Sequence, residues 1–294
     1  MLDKLKNRDF HILIWIAVFA LYWRAIGFDF TYDDYPNIVL NNLVTSPKSI
    51  FALLFSPSVP GDLYRPLVSL SYRIQYLVSG TTPNAFHFFN ITLHALTTSL
   101  LFWLLCSVLH DKKISLLISL VFGIHPINIE SVASIVGRAE ILSTFFGLSA
   151  CIVLIRAAQQ SLSVQNRYTL IGFSALLFLC STLCKESGLT FMFIIPLVLI
   201  ASGLTFFNQN RLFVTGSLVI ASILSLILRY SVLGKRFYIP SHSALIFPEN
   251  PLLNTTFIER LIPSMNLLGD YLILLLFPMN LSADYSEMPA TFFA

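Results

Sequence analysis

Charge is what this sequence has least of. Only 11% of its 294 residues are Asp, Glu, Lys or Arg, where a soluble domain carries about a quarter. So few charges cannot cover a water-facing surface of this size, which excludes a soluble globular enzyme, a disordered chain and a coiled coil. The net charge of +3 is small and spread along the chain, so no basic patch points to nucleic acid. Cysteine is scarce as well. Cys106, Cys151, Cys180 and Cys184 all lie in apolar stretches. Cys180 and Cys184 stand one helical turn apart, but no His or second Cys pair accompanies them. They read as buried small hydrophobes rather than metal ligands or a disulfide. Internal repeats, low-complexity runs and a soluble domain are also missing.

What the sequence has is apolar length. Hydrophobic residues make up 56% of it, with a mean hydropathy of +0.77. A span takes about 20 apolar residues. Candidate spans fall at 10–28, 86–109, 114–124, 139–157, 168–184, 189–206, 211–229 and 262–281. The expected fold is an all-α polytopic membrane protein. The first run follows Lys4, Lys6 and Arg8 and is too long for a cleaved signal, so it reads as a retained anchor. The third run meets Gly123, His125 and Pro126, which predicts a partly buried break. The last contains Asp270 and approaches Pro278, consistent with a re-entrant segment. With the N-terminus cytoplasmic, alternation puts Lys112, Lys113, Arg156, Arg167 and Arg211 on the same side, as the positive-inside rule prefers. The opposite side then receives 29–85, 125–138, 184–188 and 230–261, with most of the unusual polar residues. Within 29–85, Leu67, Leu70, Ile74, Leu77 and Val78 follow helical spacing, with Arg65 and Arg73 off the stripe. That predicts an amphipathic helix on the membrane surface. The chain stops at Ala294 without a clear final span, so the expectation is a fragment of a longer module.

Four constellations on that side can carry chemistry. Asp33-Asp34 follows the first span. Two adjacent carboxylates cannot share a face, so one can enter a cavity while the other binds backbone, metal or a basic partner. An Asp beside a low-dielectric boundary suits a general base for a hydroxyl. The pair is equally compatible with a solvated surface loop. His87, Asn90 and His94 lie on one helix stripe. Polar residues inside a span face a cavity or pack against another helix. From His125-Pro126 onward, helical spacing sets Glu130, Ala133, Ser134, Gly137 and Arg138 on one face, leading to Glu140. This predicts a small-residue floor flanked by an acid and a guanidinium, whose fork of donors suits a phosphate. An internal Glu–Arg–Glu network explains the same residues. Lys185-Glu186 sits between two spans, where a Lys can neutralise a lipid phosphate or simply snorkel. The sequon Asn90-Ile-Thr lies in the membrane and is discounted. Asn254-Thr-Thr is usable only in a secretory compartment.

These residues resemble one family. The carriers are Tyr32-Asp33-Asp34; Tyr64-Arg65-Pro66-Leu67 with Ser71-Tyr72-Arg73; and Phe86-His87-x-x-Asn90-x-x-x-His94-Ala95. To these are added His125-Pro126-x-x-x-Glu130-x-Val132-Ala133-x-x-Val136-Gly137-Arg138-Ala139-Glu140 and Lys185-Glu186-x-Gly188. The chain is similar to the transmembrane and tetratricopeptide-repeat-containing O-mannosyltransferases of the GT-C superfamily, colinearly from about residue 10 to Asp284-Tyr285-Ser286. The resemblance implies a GT-C-like helical bundle with an extended first trans-side loop. It implies a polyprenyl- or dolichyl-phosphate-linked sugar as co-substrate, mannose by family expectation. The acceptor would be a Ser or Thr hydroxyl of a translocated protein. The base maps onto Asp33, with Asp34 beside it. Arg138, Lys185 and Arg65 would meet the donor phosphate. His87, Asn90, His94, His125, Glu130, Glu140 and Glu186 would shape the cavity. No metal or other cofactor is specified, although a divalent ion is compatible with the superfamily. The family's repeats, and the last spans of its membrane module, have no counterpart here. The membrane would be the endoplasmic reticulum in a eukaryote and the plasma membrane in a bacterium. Two other classes fit the pattern less well. A non-catalytic membrane scaffold would keep the fold without needing the acid pair. A lipid-linked sugar transporter would show inverted repeats and midplane charges.

Overall fold

The computed structural model describes residues 7–46, 50–58, 63–158, 162–203, 206–237, 256–279 and 281–282. Lys4, Lys6, Asp62, the Asn254 sequon and the Asp284-Tyr285-Ser286 stretch lie outside them. The described residues are helical with no strand beyond one isolated bridge between Ser58 and Leu63. Helix α1 (Asn7–Tyr22) tightens into a 3-10 turn at Trp23–Gly27. Next come a π-helical turn (Tyr35–Val39) and short helices α2 (Asn42–Thr45) and α3 (Ile50–Leu54). Then follow α4 (Pro66–Ser79), α5 (Pro83–Leu109), α6 (Lys112–Ile124), α7 (Ile129–Ala133) and α8 (Arg138–Ala157). The series closes with α9 (Val164–Cys184), α10 (Phe191–Ala201), α11 (Phe206–Leu233) and α12 (Phe257–Leu276).

Among the described residues, five helices are long and apolar enough to cross a membrane: Arg8–Gly27, Pro83–Leu109, Arg138–Ala157, Val164–Cys184 and Asn210–Phe237. Segments Lys112–Ile124 and Pro126–Ala133 qualify only as a pair bent by 47°. Glu186–Ala201 and Pro263–Leu276 are shorter apolar helices. The chain is an all-α polytopic membrane protein.

Local chemistry sets these boundaries. Pro66 and Pro83 open α4 and α5, where a missing N–H costs nothing. His110 ends α5 in the left-handed region, and the Asp111 carboxylate accepts from the backbone N–H groups of Lys113 and Ile114 at 2.8 and 3.1 Å to start α6. Helix α6 stops at His125 because Pro126 follows.

Two cores share α5 and α8. One gathers α1, α4, α5 and α6 around Ile14, Phe86, Ile91 and Ile135; the other gathers α8 to α11 around Leu154, Phe178, Ile195 and Leu218. Helix α8 packs most extensively on α9. Helix α4 buries Pro66, Val68, Tyr72 and Arg73 and exposes Ile74, Leu77 and Val78. Arg73 stitches α4 to α2, donating to the carbonyls of Val44, at 2.9 Å, and Ser46. The face of α4 that carries Val68, Tyr72 and Arg73 thus meets protein, and Ile74, Leu77 and Val78 face outward.

Candidate functional site

The site forms where the chain between α7 and α8 fails to stay helical. Sequence spacing predicts one helix from Pro126 through Glu140. The structure instead has a 3-10 turn at Pro126–Asn128, the five-residue α7, a break at 134–137, and α8 from Arg138. Three distant side chains hold the break open. Asn90 Nδ2 donates to the carbonyls of Ser134 and Ile135, both at 3.1 Å. The Tyr72 hydroxyl donates to the Ile135 carbonyl at 3.3 Å. The Val136 N–H donates to the Asp34 carboxylate at 3.1 Å. These bonds replace the helical ladder, so leaving it costs little. Gly137 closes the turn: a Cβ there would stand 2.3 Å from the Ser131 carbonyl oxygen.

The break forms the floor of a cavity of about 280 Å³. Its wall includes Asp33 and Asn37 from the first loop, Arg65, Ser69 and Tyr72 around α4, Glu130, Ser131, Ser134 and Gly137 from the break, and Glu140 and Lys185. Asp33 and Asp34 part company here. Asp34 is fully buried, and its carboxylate accepts from the Thr31 N–H at 2.9 Å as well as from Val136. Burial pushes its carboxyl above the usual range, and these N–H bonds pull it part of the way back. Asp33 is exposed to the cavity.

The cations on the wall have anionic partners. Lys185 pairs with Glu140. Arg65 donates from Nε and Nη2 to one oxygen of Glu186, at 3.2 and 2.9 Å, while Arg229 of α11 bonds the other oxygen. Burial works against the Glu186 charge, yet the two guanidiniums outweigh it and hold the carboxyl below its ordinary range. Gly188 permits the tight turn after Lys185: a Cβ would sit 2.6 Å from the backbone of Ser181.

The protein O-mannosyl-transferase TMTC3 of Homo sapiens is 35% identical over 200 residues, covering 64% of this chain and 21% of the relative. Protein O-mannosyl-transferase TMTC2 of Homo sapiens is 31% identical over 294 residues, covering 91% and 34%. Protein O-mannosyl-transferase Tmtc1 of Drosophila melanogaster is 28% identical over 293 residues, covering 91% and 33%. The chain is similar to the TMTC protein O-mannosyl-transferases over most of its own length. It spans a fifth to a third of the length of these TMTC relatives. No family model matches it, and no solved structure matches it.

The cavity brings together Asp33, Arg65, Glu130, Glu140 and Lys185. The other residues singled out in the sequence lie elsewhere. Arg138 was expected at a phosphate. It is fully buried in the core, donating to Asn90 Oδ1 at 2.8 Å, Gln75 Oε1 at 2.6 Å, the Phe86 carbonyl at 3.3 Å and the Ser71 hydroxyl at 3.4 Å. Its guanidinium stacks on Phe89 at 4.5 Å and Tyr72 at 4.8 Å. The broken helix turns it away from the face of Glu130. Asn90 is spent on the break and on Arg138. His87 is buried and lines neither this cavity nor a smaller one of about 180 Å³. His94 lines the smaller one and bonds the Gly123 carbonyl at 3.0 Å. His125 accepts from the Ile127 N–H at 3.2 Å as a helix cap. Glu186 stands behind Arg65 rather than on the wall.

Sequence reasoning missed Arg229, which is 5% exposed. Its signal was present: it is the lone charge between Arg211 and Lys235 in an otherwise apolar run, and such a charge needs a partner. Among the described residues no group of three or more His, Cys, Asp or Glu could hold a metal ion.

Proposed function

We propose that this chain is the membrane module of a glycosyltransferase. It moves a sugar, mannose by analogy with the names of its relatives, from a polyprenyl- or dolichyl-phosphate donor to a Ser or Thr hydroxyl of a translocated protein. The observation that carries the reading is the divergence of the acid pair: Asp34 is consumed by backbone N–H groups, while Asp33 opens on a cavity whose wall also holds Arg65 and Lys185.

In this scheme Asp33 accepts the acceptor's hydroxyl proton. The oxygen then bonds to the anomeric carbon as the bond from that carbon to the phosphate oxygen breaks. The electron pair leaves on the lipid phosphate, where Arg65 and Lys185 offset the developing charge. Glu130 and Glu140 shape the acceptor side. No metal is invoked; loss of transfer to a chelator, with recovery on a divalent ion, overturns that part.

The N-terminus is cytoplasmic and the cavity faces the lumen of the endoplasmic reticulum or, in a bacterium, the periplasm. The test is transfer of labelled mannose from a polyprenyl-phosphate donor to protein in membranes holding the chain. Asp33→Asn is expected to reduce transfer by roughly 10²- to 10⁴-fold. Transfer that survives this substitution overturns Asp33 as the base, and absence of transfer from the folded unmodified chain leaves a non-catalytic scaffold as the alternative.

A further inference from the structure

Arg229 is a nearly buried cation near the end of a membrane-spanning helix, outside the cavity wall. Such a charge is costly to insert, and one salt bridge accounts for only part of its arrangement. Its Nη2 donates to the Thr182 carbonyl at 2.6 Å and its Nη1 bonds one Glu186 oxygen. Arg65 takes the other oxygen through Nε and Nη2, and its side chain also lines the cavity. One carboxylate thus serves two guanidiniums, and the trio carries one net positive charge. Arg229 is fixed on two partners, so the surplus is expressed at Arg65.

We propose that Arg229 is a positioning residue for phosphate binding: it occupies Glu186, so that Arg65 stays under-neutralised on the cavity wall, ready for a lipid-linked phosphate. This rests on the reading that Arg65 meets the donor phosphate. Without Arg229, Glu186 would neutralise Arg65 fully. Without both, the single net charge returns.

The test measures binding of a tritiated polyprenyl phosphate to the full chain in phosphatidylcholine nanodiscs, with the phosphate-free polyprenol as control. Arg229→Gln should weaken binding of the phosphate probe by roughly tenfold, on the order of one unit charge nearby, and leave polyprenol unchanged. Arg229→Lys, which keeps the charge, should recover most of it. The double variant Arg229→Gln, Glu186→Gln should bind more tightly than Arg229→Gln alone. A purely structural role predicts the opposite order, because the double variant loses more contacts. Unchanged binding in Arg229→Gln, no recovery in the Lys or double variant, or an equal loss for polyprenol overturns the proposal. If Arg229→Gln does not accumulate, Glu186→Gln against the double variant carries the same one-charge difference, and equal affinities overturn it. Sugar transfer in the unmodified chain and in Asp33→Asn is measured in parallel. Transfer absent from the folded unmodified chain sinks the transferase reading alone, while a binding series insensitive to Arg229 sinks this inference alone.

Discussion

At Asp34 a substitution changes the fold before it changes the chemistry. Both carboxylate oxygens of Asp34 accept backbone N–H bonds from the loop and from the break. Asn offers one oxygen and points an NH2 at a donor. Asp34→Asn should therefore destabilise the protein by about 1–3 kcal/mol, read as earlier thermal unfolding in detergent; an unchanged unfolding curve contradicts the clamp. Arg138 behaves similarly. Arg138→Met strands the acceptors of Asn90 and Gln75 and should cost about 3–5 kcal/mol. Transfer per folded molecule should fall less than in Asp33→Asn.

The two perturbed acids give opposite pH signatures. Glu186 titrates below its ordinary 4.5, so its contribution to stability is present above that pH and is lost as pH falls through the folded value. Asp34 titrates above its ordinary 3.8, so its protonated form is favoured by folding. Its contribution weakens as pH rises through the carboxylate range. Glu186→Gln should flatten the acid limb of the stability profile. An acid limb as steep as in the unmodified chain contradicts the paired state of Glu186.

At the scale of elements, the break between α7 and α8 decides where the cavity lies. Gly137→Ala drives a Cβ against the Ser131 carbonyl and should shift the floor, lowering both stability and transfer; Gly123→Ala, away from the cavity, should lower stability alone. Equal effects of the two on transfer contradict the role of the break. This element also marks the limit of reading the sequence. Pro126, Gly137 and the small residues around them were visible, and the spacing favoured one continuous helix. Helical spacing counts only neighbours along the chain. The bonds that stop the helix come from Asp34, Tyr72 and Asn90, 44 to 102 residues away. For the same reason Arg138 was assigned to a phosphate on the strength of its guanidinium. Its partners Ser71, Gln75 and Phe86 are uncharged and stand 52 to 67 residues away. Helix α4 was legible, because its apolar stripe and its off-stripe arginines are local properties.

At the scale of the molecule, scarcity of charge and long apolar runs were enough to read an all-α membrane protein. Among the described residues, five of the eight apolar runs read from composition coincide with helices long enough to cross a membrane, whereas the ion pairs that tie their ends were not readable. Arg65 and Glu186 are 121 residues apart, and nothing local connects them. Topology has its own test. With the N-terminus cytoplasmic, a cysteine at Thr81 should react with an impermeant thiol reagent only from the lumenal or periplasmic side, and one at Lys112 only from the cytoplasm. Labelling of both from one side contradicts the arrangement.

The most direct test of the account sets Asp33→Asn beside Asp34→Asn, with mannose transfer scored per folded molecule. The account predicts a folded, inactive Asp33→Asn and a destabilised Asp34→Asn whose folded fraction still transfers. Activity retained in Asp33→Asn, or lost only in Asp34→Asn, contradicts it.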